Sequence, residues 1–232
     1  MKAIIMAAGV GNRIKELTNG KPKSFLEIEG KSIIQHQIDT LKSFGVKDIT
    51  IVVGYQKELF KQFLEQGVNL IYNPFYKSTN VLGSFWFTKK IINEPFLFMH
   101  ADTYFEPEIV SRLLDSEGNN FAVEFKECGE EEMKVVVENG LINNISKELQ
   151  DSHGEFIGVA KIENFNEVKK VVKEIVHEHH GTFFEKIIQE LIPSGINFNA
   201  VNINNLVWEE VDFKEDYYSL IQKIEEKKGK QE

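Results

Sequence analysis

The sequence predicts an α/β fold, a Rossmann-like doubly wound mixed sheet, mostly parallel, with helices on both faces. Three observations predict it. Strand and helix signals alternate through the first hundred residues, as repeated β-α units do. The apolar run at residues 3–6 breaks into the small stretch Ala7-Ala8-Gly9-Val10-Gly11, as a buried parallel strand does at its carboxyl end. Beyond residue 115 the pattern turns to successive strands, with Asn139-Gly140 as a hairpin turn, so the far side of the sheet is partly antiparallel.

Each element has its own signal. Residues 32–44 set Ile34, Ile38 and Leu41 on one helical face, and Gly45 stops the helix. Residues 49–53 are β-branched and close at Gly54. Residues 57–65 carry Leu59, Phe60, Phe63 and Leu64 at helical spacing, 68–72 read as a strand, 84–92 as a helix and 96–99 as a fourth buried strand. Strands follow at 120–127, 133–138, 141–145 and 156–162. Helices at 166–176 and 183–191 end before Pro193 and Gly195. Strands near 199–203 and 207–211 precede a closing helix at 214–227. No linker, repeat or low-complexity stretch interrupts this series, so residues 1–232 are expected to form one domain, with halves meeting at 115/116.

Composition narrows the function. With 42% hydrophobic residues among 232, the chain can bury one full-sized core. The formal charge is −9, and no Lys/Arg stripe with interleaved aromatics is present, so nucleic acid is not an expected partner. No apolar run approaches the length of a membrane span. The apolar start at residues 1–6 is short, and Gly9, Gly11, Asn12 and Arg13 follow at once, which does not read as a signal peptide. Cys128 is the one cysteine, so no internal disulfide forms and a reducing, cytoplasmic setting is expected.

Chemistry concentrates after the first strand. Small residues at a strand's carboxyl end let backbone amides approach a phosphate. Arg13 adds a bidentate phosphate donor and Lys23 a compact charge, on a segment stiffened by Pro22. A dinucleotide loop needs a third glycine where Ile14 stands, and the Gly-Lys-Ser/Thr of a Walker loop is absent. A glycine turn without a ligand stays open on the loop alone. Asp102 and Asp212 each follow a predicted strand. Magnesium takes such carboxylates together with substrate phosphates, and capping a turn or helix is the alternative from spacing alone.

The string Ala7-Ala8-Gly9-x-Gly11-x-Arg13, followed by Lys21-Pro22-Lys23, resembles the signature of the sugar-phosphate nucleotidyltransferase superfamily. Ala101-Asp102 resembles its metal aspartate, and Glu210-Val211-Asp212 through Asp216-Tyr217 its closing motif. Asn80 and Ser84 resemble the cytidylyltransferase branch, as do Ser146-Lys147, Gly154-Glu155 with Gly158, and Phe183-Phe184-Glu185. The resemblance covers nearly the whole chain. It implies a nucleotide-diphospho-sugar transferase fold and CMP transfer from CTP to a small phosphate, phosphonate or phosphoramidate, with pyrophosphate released. It also implies nucleotide contacts from Ala7, Ala8, Gly9, Gly11, Asn12, Arg13, Lys23, Asn80, Ser84 and Asp102. Arg13 and Lys23 are the implied catalytic cations, Asp102 and Asp212 the Mg2+ ligands, and Asp216 a helix cap. The implied acceptor residues are Lys147, Glu155, Gly158 and Glu185, so the two halves become a nucleotide-binding and an acceptor-binding half.

Two alternatives accompany that implication: a sugar-1-phosphate transferase using UTP or dTTP, and a non-catalytic nucleotide-binding domain. Residues 130–134 offer no Trp or Tyr for a quaternary ammonium, which favours acceptors bearing an amino or amide group over phosphocholine. Trp208 reads as part of a core strand, and His177, His179 and His180 as a solvated helix end. A homodimer is left open.

Overall fold

Alternation inside the strands explains why helices cover both faces of the sheet. In β1 (Lys2–Ala7), Ala3, Ile5 and Ala7 join one apolar cluster while Ile4 and Met6 join another. A strand buried on both faces needs cover on both. The structure, a computed structural model, describes residues 1–230, so the last two residues of the expected domain lie outside the described residues.

After β1 comes a small hairpin, β2 (Glu27–Ile28) and β3 (Lys31–Ser32), then α1 (Ile33–Ser43), β4 (Asp48–Val53) and β5 (Asn69–Tyr72). Next are α2 (Val81–Phe85), β6 (Phe96–His100), β7 (Thr103–Phe105), α3 (Pro107–Asp115) and β8 (Asn119–Glu124). The remainder is β9 (Lys134–Glu138), β10 (Leu141–Ile145), β11 (Gly154–Ile162), α4 (Phe165–His179), α5 (Glu185–Leu191), β12 (Phe198–Asn202), β13 (Trp208–Glu210) and α6 (Lys214–Gly229).

The main sheet has nine strands in the order β5-β4-β1-β6-β11-β8-β12-β10-β9. The pairs β5/β4, β4/β1, β1/β6 and β8/β12 are parallel, while β11 and β10 run antiparallel to their neighbours. The chain leaves β1 toward β4 on one side and returns to β6 on the other, so the order reverses beside β1. Ligands of open α/β sheets bind in the crevice at such a reversal, beyond the carboxyl ends of the strands. Helices α1 and α3 cover one face through Ile34, Ile38, Leu41, Ile109, Val110 and Leu113. Helices α2, α4 and α5 cover the other through Leu82, Phe85, Val168, Val172, Ile187 and Leu191.

Several elements match their sequence signals. Ser32 caps α1 by accepting from the Gln35 N–H, and Gly45 follows with φ +79°. Asn139 and Gly140 both take positive φ, the condition for the tight turn joining β9 to β10. Asp216 accepts from the N–H groups of Asp212 and Phe213 at 2.8 and 2.7 Å, and so caps α6.

Other elements depart from expectation. Lys57–Gln66 is a 3-10 helix, whose period of about three residues stacks the buried Phe60 and Phe63 and leaves Leu64 half exposed. The helix expected at 84–92 begins earlier, with Asn80 as its N-cap, and tightens into 3-10 form over Trp86–Lys90. Helix α3 was not expected from the sequence, although Pro107 starts it and Ile109, Val110 and Leu113 form its buried stripe. The strand expected at 207–211 does not join the main sheet; β13 pairs with β7 in a separate ribbon, buried through Trp208 and Phe105.

Candidate active site

That ribbon decides the geometry of the site. Glu210 pairs with Thr103, and the Val211 N–H donates to the Asp102 carbonyl at 3.1 Å. Asp212 is therefore delivered beside Asp102, by a β13–β7 contact rather than by two strand ends of one rim. Both carboxylates meet the Lys23 ammonium, Asp102 at 3.4 Å and Asp212 in a closer ion pair. Arg13 reaches Asp212 at 3.1 Å, lies 4.0 Å from Glu131, and stacks its guanidinium 4.8 Å from the centre of the Phe213 ring.

These groups sit on a cavity of about 460 Å³ at the carboxyl ends of β1 and β6. Ala8, Gly9, Gly11, Asn12, Arg13 and Lys23 line it together with Asp102 and Asp212. Ala7 lines a smaller adjoining pocket instead. Gly11 has φ +62°, and a Cβ there would collide with the Lys23 side chain, so glycine at 11 is what lets Lys23 lie across the loop. Nothing lies within 4 Å of the place a Gly9 Cβ would occupy, which leaves its backbone open to the cavity.

Asn80 and Ser84 line the same cavity from α2. The Asn80 side-chain carbonyl caps its own helix by accepting from the Val81 N–H at 2.9 Å, which leaves its amide group as a donor. Ser84 is buried, and its hydroxyl accepts from the Asn73 amide at 2.9 Å. Among the expected acceptor residues, Lys147 lines the cavity, its ammonium 5.2 Å from the centre of the Phe183 ring. Glu155, Gly158 and Glu185 lie off the cavity surface. Glu155 is 5% exposed and ion-paired to Lys126 at 2.8 Å. Gly158 has φ +78° and lies against the His100 ring. Glu185 is 2% exposed, and neither of its carboxylate oxygens has a hydrogen-bond partner among the described residues.

Charge is tightly balanced here. Burial opposes the charge of Lys23, yet Asp102 and Asp212 together hold its pKa above the ordinary lysine value. Burial likewise opposes a charged His100, but Glu210, then Glu185 and Asp102, outweigh it and the imidazole is pushed up to about 9. Burial raises the Glu155 carboxyl to about 7 against the pull of Lys126, and burial also raises that of Glu185. His100, Glu210, Glu131 and Phe183 all line the cavity without having been singled out from the sequence for a role in it. His100 carried a signal: it stands two positions before Asp102 at the end of a buried strand, where alternate residues share a face. His177 ends α4 exposed to solvent and His180 just after it is exposed too, as their sequence suggested, while His179 is half-buried.

Asp102 and Asp212 are oxygen donors that converge on one positive charge, and such a pair fits a hard divalent cation. A sheet that reverses beside β1, with cations and carboxylates facing each other across its crevice, is the arrangement of an α/β nucleotidyltransferase. The chain belongs to the MobA-like NTP transferase domain family, whose model matches residues 3–161. It is 39% identical to a choline-phosphate cytidylyltransferase of Streptococcus pneumoniae over 105 residues, a match spanning 45% of each chain. It is 26% identical to a CTP:phosphoglutamine cytidylyltransferase of Campylobacter jejuni over 96% of this chain and the whole of that one. The solved structure of the Streptococcus pneumoniae CTP:phosphocholine cytidylyltransferase superposes with a TM-score of 0.81 at 24% identity, covering 95% of this chain and 97% of that one, and so shares the fold.

Proposed function

We propose that the chain is a CTP-dependent cytidylyltransferase, moving CMP to a small phosphate, phosphonate or phosphoramidate acceptor and releasing pyrophosphate. One observation carries the reading: Arg13 and Lys23 stand with Asp102 and Asp212 at a glycine-lined mouth of the cavity. The relatives named as cytidylyltransferases support cytidine as the base. In this reading Asn80 and Ser84 face the base, residues 1–115 serve the nucleotide, and residues 116–232 serve the acceptor within one domain. A reducing, cytoplasmic setting suits a chain whose single cysteine is Cys128; no helix among the described residues is long and apolar enough to cross a membrane.

The chemistry follows from charge. A phosphate monoester is largely a dianion at neutral pH, so the attacking oxygen needs no general base, and no Ser-His or Cys-His pair is required. The obstacle is repulsion between two polyanions. Arg13 and Lys23 lower it by leaving their carboxylate partners for the triphosphate, where their donors stabilise the departing pyrophosphate. In this reading Lys147, which lines the cavity beside Phe183, receives the acceptor's phosphate group. Mg2+, held by Asp102 and Asp212, would supply further screening of phosphate charge. Pyrophosphate release measured with CTP, UTP, dTTP and GTP, against phosphocholine, aminoethylphosphonate and phosphoglutamine, tests the reading. Release with CTP and one of these acceptors is expected. Turnover confined to UTP or dTTP with a sugar phosphate would replace it.

A further inference from the structure

His100, Asp102 and Glu210 bring one potential ligand atom each to within 4.8 Å of one another. The His100 Nδ1 lies 3.7 Å from the Glu210 Oε1. The three are held by the same ribbon that sets the site: His100 ends β6, Asp102 follows it, and Glu210 pairs with Thr103. Three donors bound at about 2.1 Å to one ion lie about 3–4 Å apart, so a contraction on the order of 1 Å turns the cluster into a seat. Gly158 makes room for the ring, since a Cβ there would stand 2.6 Å from Nδ1.

A second observation points to a ligand. Histidines that bind metals pass their other ring N–H to a carboxylate. The His100 Nε2 is buried without a partner among the described residues, and so are both carboxylate oxygens of Glu185. Glu185 is 2% exposed, and its neighbour Phe184 stacks on Phe98, whose ring meets the His100 ring edge-on at 5.3 Å. A donor and an acceptor both buried and both unpaired are costly, and a cation on the opposite ring nitrogen would give each a use.

We propose that His100, Asp102 and Glu210 form a divalent-cation seat with one imidazole nitrogen, separate from the oxygen-only pair Asp102 and Asp212, with Glu185 as the outer carboxylate behind the ring. A mixed nitrogen and oxygen donor set takes first-row transition ions such as Mn2+ or Zn2+, whereas Mg2+ keeps to oxygen. Glu210 and His100 line the same cavity as Lys147, so an ion held there adds positive charge in the cavity proposed to receive the anionic acceptor. The seat shares Asp102 with the proposed CMP transfer but requires neither CTP nor acceptor to fill.

Mn2+ added to the nucleotide-free chain and examined by electron spin-echo resonance tests the seat. Nitrogen modulation from a coordinated imidazole is expected, lost in His100→Asn and kept in Asp212→Asn. Glu185→Gln should keep the modulation and weaken Mn2+ binding about 10- to 100-fold. Absent modulation in the wild-type chain, or modulation that survives His100→Asn, overturns the proposal. If His100→Asn does not fold, Glu210→Gln decides: Mn2+ affinity should fall at least about tenfold, and unchanged affinity is the contrary result. CMP transfer with Mg2+, assayed separately, keeps the two readings apart. Transfer without nitrogen modulation sinks the seat alone, and modulation without transfer sinks the cytidylyltransferase reading alone.

Discussion

Lys23 is where the charge of the site is settled. Its ammonium is mostly buried and is tolerated there because Asp102 and Asp212 both lean on it. Substrate binding must break that arrangement, which makes Asp102 the most informative single residue. Asp102→Asn keeps the shape and leaves Lys23 paired with Asp212, so the far- and near-ultraviolet circular dichroism should match the wild type. Turnover should fall by at least about 100-fold, the scale of losing one charge-stabilising group. Wild-type pyrophosphate release from that variant would remove Asp102 from the chemistry. Asp216 acts at one remove. Its carboxylate holds the N–H groups of Asp212 and Phe213, and Asp216→Ala should cost about 1 kcal/mol in urea unfolding. Because Asp212 loses its brace, kcat should fall further than that loss of stability explains.

Strand β11 lies behind the site, its Gly158 against the His100 ring that lines the cavity. Its pairing with β8 shifts register between Phe156 and Ala160, and Gly158 stands inside the shift with φ +78°. Gly158→Ala meets two obstacles, a left-handed backbone costing about 1–2 kcal/mol and a Cβ against the His100 ring. Chemical denaturation should show at least that loss, and a variant as stable as the wild type would mean that the bulge relaxes freely. The same elements show which features a sequence reveals. Ile34, Ile38 and Leu41 on α1, and Asn139-Gly140 at its turn, are local patterns fixed by helical period and backbone sterics. The glycine loop and the cations beside it were legible for the same reason, since Gly9, Gly11, Arg13 and Lys23 lie close together in the chain. Pairing of β13 with β7 is a long-range choice between two possible neighbours, and no periodicity in residues 207–211 encodes it. Glu155 was read as facing an acceptor, and it is buried against Lys126, a partner two residues beyond β8 that only the fold brings near. The 3-10 form of Lys57–Gln66 was hidden because Phe60 and Phe63 satisfy either helical period.

At the scale of the molecule, an acidic chain of formal charge −9 buries carboxyl groups, and this must show in its stability. Glu155 carries the clearest case. Its carboxyl is pushed up to about 7, from 4.5, by burial that Lys126 offsets in part. Between those values the folded protein keeps a proton that the unfolded chain has released. Stability contributed by this group therefore falls as pH rises from 4.5 to 7 and stays level above it. Lys126, whose pKa is raised against the effect of burial by Glu155, Glu132 and Glu124, adds a loss of the same sign, but only far above that range. Glu185, also raised by burial, adds to the same fall, and His100 adds a further loss as pH passes from 6.5 to about 9. Glu155→Gln separates the first term from the rest, because the amide keeps the shape and Lys126 retains Glu124 and Glu132, each at 3.4 Å. The difference in unfolding free energy, wild type minus variant, should decrease between pH 4.5 and 7 by up to about 3 kcal/mol. A difference that stays constant across that window would show that Glu155 is ionised in the folded protein throughout, and that Lys126 fully compensates its burial.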